Sequence, residues 1–388
     1  MRIGISGTFW PALTTGSGQH IRGLLPALVA ATSGEVYTLY IPRFALPNSS
    51  STMDTPIRTK IVATPFDQSN TNLAKLWYEQ IALPRACHLD NIQLLHTPYL
   101  GAPLMHSIPV VVTVHDLIPL LLPEYRGSLA VRAYMRLATW AAQRTQFVIA
   151  VSQSAANDVQ RVLHISAQRI CVIYNAVSGQ HQPVHPAQYA QVARKLGLPQ
   201  HYLLYLGGFD RRKNVPELLR AFREICQQVP AITLVIAGRR PGQDTTFFPD
   251  PQRLVNELNL ADRVQLLGEV AEEYKPALYS GALALVFPSR YEGFGLPVLE
   301  SLACGTPAIL CTGSSLEEVA GTGALYVPPG DIPALSQAMI RLCTETDLRQ
   351  QLAQAGLRQA QRFSWADSAT RTLAVYRTVL EKGKGRSR

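Results

Sequence analysis

The sequence predicts an α/β protein of two Rossmann-like domains whose parallel sheets face each other across a central cleft. Three observations lead there. Short apolar runs rich in β-branched residues recur along the chain, each closed by a Gly, Pro, Asn or Asp break and followed by a helical pattern. Strands alternating with helices in this way are the mark of a parallel sheet covered on both faces. The series appears twice, separated by a stretch rich in Gln, His and Pro, and the length of 388 residues suits two or three domains at roughly 100–200 residues each.

Taken in order, strands are expected at 2–6, 35–41, 94–96, 109–115, 147–151 and 171–174, then at 202–206, 233–237, 264–267, 282–287, 308–310 and 324–327. The first set defines an N-terminal domain over residues 1–180. A linker with a short helix follows at 181–200, and a second domain occupies 201–364. In sheets of this kind ligands bind beyond the carboxyl ends of the strands, where loops enter helix N-termini. The polar residues just after each run are therefore the ones to examine.

Composition narrows the function. With 47% hydrophobic and 16% charged residues the chain is a packed globular protein. No apolar run approaches the roughly 18–20 residues that span a bilayer. The N-terminus reaches Gly and Thr too soon for a signal peptide, and six scattered Cys without C-x-x-C spacing suit reduced thiols. Both readings place the chain in the cytoplasm. The formal net charge is +9, and it is uneven: residues 1–200 hold 15 basic and 8 acidic side chains, residues 201–388 hold 21 and 19. A basic half attracts nucleic acid, an anionic membrane or an acidic substrate, and composition does not choose among them.

The most informative segment is FPSRYEGFGLPVLESLACGTP at 287–307. Pro297 suits the first turn of a helix, and Gly305 followed by Pro307 ends it, leaving about eight helical residues. Gly293-Phe294-Gly295 ahead of it can bring backbone amides close to an anion. Glu292 before the helix and Glu300 inside it can accept hydrogen bonds from hydroxyls, so a ligand part phosphate and part polyol would fit. The same spacing also reads as a Gly-rich turn with a capping and an exposed Glu. In LGGFDRRKNVPELLRAFR at 206–223, Arg212 and Lys213 sit just ahead of a helix starting near Val215. Cations are unfavourable there unless an anion lies between them and the helix dipole. A diphosphate would be such an anion; a solvated basic turn is the alternative.

Near the N-terminus, TTGSGQH at 14–20 links the first strand to a helix carrying Leu24, Leu25 and Leu28. The G-x-G-x-x-G spacing fails at Ile21, no acidic residue closes the next strand, and no Walker A pattern occurs, which argues against nicotinamide-dependent oxidoreductases and P-loop ATPases. His115 ends the run VVVTVH ahead of Asp116, either as a polar group at the strand end or as a buried structural His. The nine His show no metal-ligand spacing, and no G-x-S-x-G elbow is present.

Together these segments resemble the family-4 retaining glycosyltransferases of the GT-B fold. The resemblance runs nearly end to end: TGSGQH at 15–20, LWYEQIALP at 76–84, VVVTVHDLIPL at 110–120, VIAVSQSAANDV at 148–159, VIYNAV at 172–177, YLGGFDRRKN at 205–214, PSRYEGFGLPVLESLACGTP at 288–307 and FSW at 363–365. It implies that Arg212 and Lys213 neutralise a donor diphosphate and that Glu300 binds the ribose hydroxyls. Glu292 would contact the donor sugar beside the amides of Gly293, Phe294, Gly295 and Leu296. His115 would lie near the reacting sugar, Gly16 and Gly18 would form a loop over the diphosphate, and the last helix, about 365–388, would cross back onto the N-terminal domain. The chain departs from its relatives at Gly208, where many carry Arg, at Asn175-Ala176, where many read Asn-Gly, and at Gln19-His20, where Arg-Tyr is frequent.

The implied reaction moves a hexose, mannose favoured, from a GDP- or UDP-linked nucleotide-sugar to a glycan or lipid-linked acceptor in cell-surface polysaccharide or glycolipid synthesis. The anomeric configuration is retained, through a front-face route with no enzyme nucleophile, cofactor or metal. Nucleic acid is not an expected partner. A GT-B-shaped protein that binds nucleotide-sugar or glycan without catalysis is the alternative. The stretch 125–144, with Arg126, Arg132, Arg136 and Arg144 among Tyr134, Met135 and Trp140, reads equally as a surface for an anionic membrane, which would put the protein on the inner face of the plasma membrane, and as an ordinary amphipathic helix.

Overall fold

The computed structural model describes residues 1–12, 15–46 and 57–385. Thr14 of the N-terminal motif and the basic residues Arg386 and Arg388 of the tail lie outside the described residues. The chain divides into two compact units, Met1–Ala176 with Ser364–Arg388, and Val177–Phe363.

The first unit is a seven-stranded sheet of β1 (Arg2–Ser6), β2 (Val36–Pro42), β3 (Arg58–Val62), β4 (Leu94–Thr97), β5 (Val110–Val114), β6 (Phe147–Ala150) and β7 (Ile170–Val172), ordered β3-β2-β1-β4-β5-β6-β7. Every pairing is parallel. A strand covered on both faces needs apolar residues at every position, and VVVTV of β5 is buried throughout. Val111 packs with Ile3, Ile5, Leu24, Leu25 and Tyr376 on one face, while Val110, Val112 and Val114 pack with Leu83, Ala142 and Val159 on the other. The C-terminal helix Trp365–Gly385 supplies Ala369, Leu373 and Tyr376 to the first of these clusters. It lies so close to the helix Gly16–Ala30 that a Cβ on Gly23 would stand 2.1 Å from the Trp365 ring.

The second unit repeats the plan with β8 (Tyr202–Leu206), β9 (Thr233–Ala237), β10 (Val264–Gly268), β11 (Ala284–Phe287), β12 (Ala308–Cys311) and β13 (Ala324–Val327), ordered β10-β9-β8-β11-β12-β13 and parallel at every pairing. The segment read as a linker belongs to this unit and carries the helix Pro186–Leu196. Each sheet reverses its strand order once, between β1 and β4 and between β8 and β11. Those two switch points are where the fold leaves room for a ligand.

Two sequence expectations change. β3 is absent from the expected strands: it is an edge strand with only Val62 fully buried, so its pattern lacks the apolar run that marks the others. Gly16 and Gly18 do not form a loop but open the helix Gly16–Ala30, whose N-cap Thr15 accepts the Gly18 amide at 3.1 Å.

Candidate functional site

β8 and β11 are neighbours at the switch point of the second sheet, and the chain leaves both carboxyl ends through polar turns. After β8, Arg211–Lys213 makes one 3-10 turn. Asn214 takes a left-handed conformation at φ 54°, and the helix Val215–Ile225 begins with Pro in its first turn. After β11, residues 288–295 lead to the helix Leu296–Ala303, again with Pro in its first turn. The two turns are tied together, since the Arg290 amide donates to the Arg212 carbonyl at 2.9 Å and Arg212 Nη1 to the Tyr291 carbonyl at 2.8 Å.

Arg212, Lys213 and Glu292 converge. Lys213 Nζ and Arg212 Nη1 each lie 2.6 Å from Glu292 Oε1, and Ser289 Oγ donates to the same oxygen at 2.5 Å. Arg212 Nε also lies 3.3 Å from Asp210 Oδ1. The anion that answers the basic pair within the protein is thus Glu292, 79 positions from Lys213 along the chain. Burial alone would push the Glu292 carboxyl up, but Lys213, Arg212 and the Ser289 hydroxyl more than reverse it and hold it at about 2. Lys213 is pushed down, first by burial and also by Arg212, although Glu292 opposes the shift. Its ammonium also stands 4.7 Å from the Phe287 ring centre, a favourable cation–π distance.

The backbone ahead of the helix Leu296–Ala303 is shaped for close approach. Gly295 has φ +100°, and a Cβ there would stand 2.6 Å from Leu316 Cδ2, so only glycine suits the position. Ser315 Oγ bonds the carbonyls of Glu292 at 2.8 Å and Phe294 at 3.0 Å, which fixes Gly293 between them. No side chain caps the helix start at Leu296. An N-terminus of this kind favours an anion. Glu300, buried inside the helix, is held differently from Glu292. Tyr279 Oη donates to Glu300 Oε2 at 2.8 Å, and His181 Nε2 stands 3.9 Å from the same oxygen. A carboxylate bonded to a phenol rather than to a cation keeps acceptor capacity for hydroxyl groups.

In the first unit, His115 lies just past β5 and its Nε2 is 3.0 Å from the Pro98 carbonyl. A carbonyl only accepts, so Nε2 carries the proton and Nδ1 keeps its lone pair. Burial lowers His115 to about 4, leaving the ring neutral at pH 7. His20 packs edge-on against it with ring centres 4.9 Å apart, and His20 Nδ1 is 2.7 Å from Asn175 Oδ1. His20, one of the noted departures, thus pairs with Asn175, a residue that the Asn-Gly of many relatives also supplies. Ala176, beside Asn175, is not among the residues with positive φ. Gly16 has open space where a side chain would be, whereas a Cβ on Gly18 would stand 1.9 Å from the Ala12 carbonyl oxygen. At Gly208 a Cβ would meet only Asp210, at 3.5 Å.

Several partners had no signal in the sequence reading: Ser289, Ser315, Tyr279, His181 and the His20–Asn175 pair. Ser289 alone could have been found, because it lies three residues before Glu292 in the motif already singled out. Among the described residues no three His, Cys, Asp or Glu side chains gather into a group that could hold a metal ion, and no helix is long and apolar enough to cross a membrane.

A family model described as Glycosyl transferases group 1 matches residues 191–359, and one described as Glycosyltransferase Family 4 matches residues 14–180. The O-antigen chain mannosyltransferase B of Escherichia coli is 31% identical over 271 residues, which is 69% of this chain and 70% of that protein. The serotype-specific mannosyltransferase WbdA of Escherichia coli is 30% identical over 70% of this chain, but this chain spans only 33% of that longer protein. Sucrose-phosphate synthase from Thermosynechococcus elongatus has the same fold, with a TM-score of 0.81 at 24% identity over 98% of this chain and 100% of that one. Anabaena HepE, solved in complex with UDP and glucose, gives 0.74 at 19% identity over 97% and 98%.

Proposed function

The chain belongs to the glycosyl transferases group 1 family and is a glycosyltransferase of the GT-B fold, and on that premise we propose that it transfers mannose from a nucleotide-sugar to a glycan or lipid-linked acceptor with retention at the anomeric carbon. Two relatives named as mannosyltransferases support the sugar, and the one named for the O-antigen chain supports the setting. The convergence of Arg212 and Lys213 on Glu292, beside the Gly295 helix start, carries the assignment of the donor site to the second unit.

In this reading the donor diphosphate lies against Arg212, Lys213 and the amides of Gly293, Phe294, Gly295 and Leu296. The ribose hydroxyls bond Glu300. A leaving nucleoside diphosphate gains negative charge as the glycosidic bond breaks, and two preformed cations in a buried site stabilise that charge without reorganising. The diphosphate competes with Glu292 for these cations, which frees the carboxylate to accept hydrogen bonds from hydroxyls of the donor sugar. His115, neutral and with its Nδ1 lone pair available, serves as a hydrogen-bond acceptor toward a sugar hydroxyl and not as a cation. The acceptor hydroxyl attacks the anomeric carbon from the face the phosphate leaves, and the departing phosphate oxygen takes its proton. The reaction needs no cofactor and no divalent metal.

The test is nucleoside diphosphate release from a panel of GDP-, UDP- and ADP-linked hexoses with a lipid-linked or oligosaccharide acceptor, with and without chelator. We expect turnover with a mannose donor, unchanged by chelation. Binding without turnover on every donor would favour the non-catalytic alternative, and loss of turnover on chelation would remove the metal-free route.

A second reading concerns where the enzyme works. Along the helix Leu129–Arg144, Leu129, Arg132, Arg136, Trp140 and Arg144 fall on one face at about 100° per residue, and all are exposed, Leu129 at 80% and Trp140 at 56%. Cations interleaved with large apolar side chains suit an anionic lipid surface on the cytoplasmic side of a membrane. Flotation with anionic vesicles should carry the protein upward, and Arg132→Glu with Arg136→Glu should leave it at the bottom. Wild-type protein that stays in the soluble fraction would reject this reading.

A further inference from the structure

His181 precedes the helix Pro186–Leu196 in a segment anchored at both sides of the Glu300 site. The Val184 amide donates to Ser280 Oγ at 3.3 Å, and Pro183 lies 3.6 Å from where a Gly305 Cβ would be. The His181 side chain is buried to 4% exposure, its Nδ1 is 3.3 Å from Ser178 Oγ, and its Nε2 has no hydrogen-bond partner. A buried, unpaired polar atom is costly, and a leucine or phenylalanine would fill the space without that cost. The nearest charged atom is Glu300 Oε2 at 3.9 Å, just beyond hydrogen-bond reach. A carboxylate at that distance favours the tautomer in which Ser178 donates to Nδ1 and Nε2 carries the proton.

We propose that His181 is a positioning residue for ribose recognition: its Nε2–H closes onto Glu300 Oε2 when nucleotide binds and, with Tyr279, clamps that oxygen so that Oε1 faces the ribose hydroxyls. The inference rests on the reading that Glu300 takes the ribose hydroxyls. Tyr279 alone leaves the carboxylate free to pivot about a single hydrogen bond, whereas two donors from different elements fix its plane. His181 touches no part of the nucleotide in this arrangement, so its effect is confined to ligands that carry the hydroxyls Glu300 binds.

The experiment measures, by calorimetry, the affinity of the full chain for a nucleoside diphosphate and for its 2′,3′-dideoxy counterpart, using the base that wild type binds best. His181→Ala should weaken the ribonucleotide by about tenfold or more, as expected for a hydrogen bond to a charged group, and leave the dideoxy form unchanged. His181→Gln, whose amide nitrogen reaches the same place, should recover most of the loss. Equal weakening of both nucleotides, or no change in either, overturns the proposal and leaves His181 a packing residue. A wild type that does not prefer the ribonucleotide would instead remove the Glu300 assignment beneath it. Melting temperatures of both variants near that of wild type confirm that the comparison is between folded proteins.

Discussion

Lys213→Ala is expected to lower kcat/KM for the nucleotide-sugar by about 10³-fold, or about 4 kcal/mol of transition-state stabilisation, in a protein that stays folded. The size follows from position. Lys213 is a buried residue, 9% exposed, so its charge acts through protein rather than water and is screened little. Folding survives because the other half of the ion cluster does not depend on it: Glu292 keeps Arg212 Nη1 and the Ser289 hydroxyl on the same oxygen. Arg212 cannot replace the lost charge, since it supplies a cation of its own and is held in place by Asp210 and the Tyr291 carbonyl. Lys213→Arg is expected to rescue little, because a planar guanidinium does not fit a site built for a compact ammonium over the Phe287 ring. Rates of nucleoside diphosphate release, with melting temperatures alongside, decide the matter. A folded Lys213→Ala enzyme with full turnover would remove the cation from the mechanism.

How far the sequence could carry these conclusions differs from link to link. The helix starts at Val215 and Leu296 were legible because Pro216 and Pro297 mark first turns, and the strands before them because both faces are buried and every residue is apolar. β3 was not, since an edge strand paired only to β2 can carry Arg58, Thr59 and Lys60 without burying a charge. At the site, the residue types were legible and their pairing was not. Sequence placed Arg212 and Lys213 before one helix and Glu292 before another, but the contact between them is made by β8 and β11 lying side by side, which spacing does not encode. The same holds for His20 and Asn175, 155 positions apart, and for His181, which sat in an apparent linker. Local signals name the chemistry, and sheet order decides which groups meet.

That pairing leads to the last prediction. Glu292→Gln should cost about 3 kcal/mol of stability at pH 7, raise the affinity for a nucleoside diphosphate and abolish most turnover. The stability follows by linkage. The Glu292 carboxyl titrates near 2 in the folded chain against 4.5 as its ordinary value, so the unfolded chain binds more protons between those values. A group depressed in this way stabilises the fold fully above about pH 4.5, and the contribution disappears as pH falls through about 2. A depression of that size corresponds to about 3 kcal/mol. Denaturant unfolding of wild type and variant should therefore show a gap that is constant from pH 5 to 7, narrows below about pH 4.5 and closes as pH falls toward about 2. The affinity change has the opposite sign for the same physical reason. With Gln in place, Lys213 loses its carboxylate and Arg212 keeps only Asp210, an arrangement that is costly when buried, and a diphosphate that relieves it binds more tightly than one that must displace a carboxylate. Added nucleoside diphosphate should thus raise the melting temperature of Glu292→Gln more than that of wild type. Turnover falls nonetheless, because the carboxylate released by the diphosphate is the group assigned to the donor sugar. Equal ligand-induced shifts in the two proteins would show that Glu292 and the diphosphate do not share the two cations.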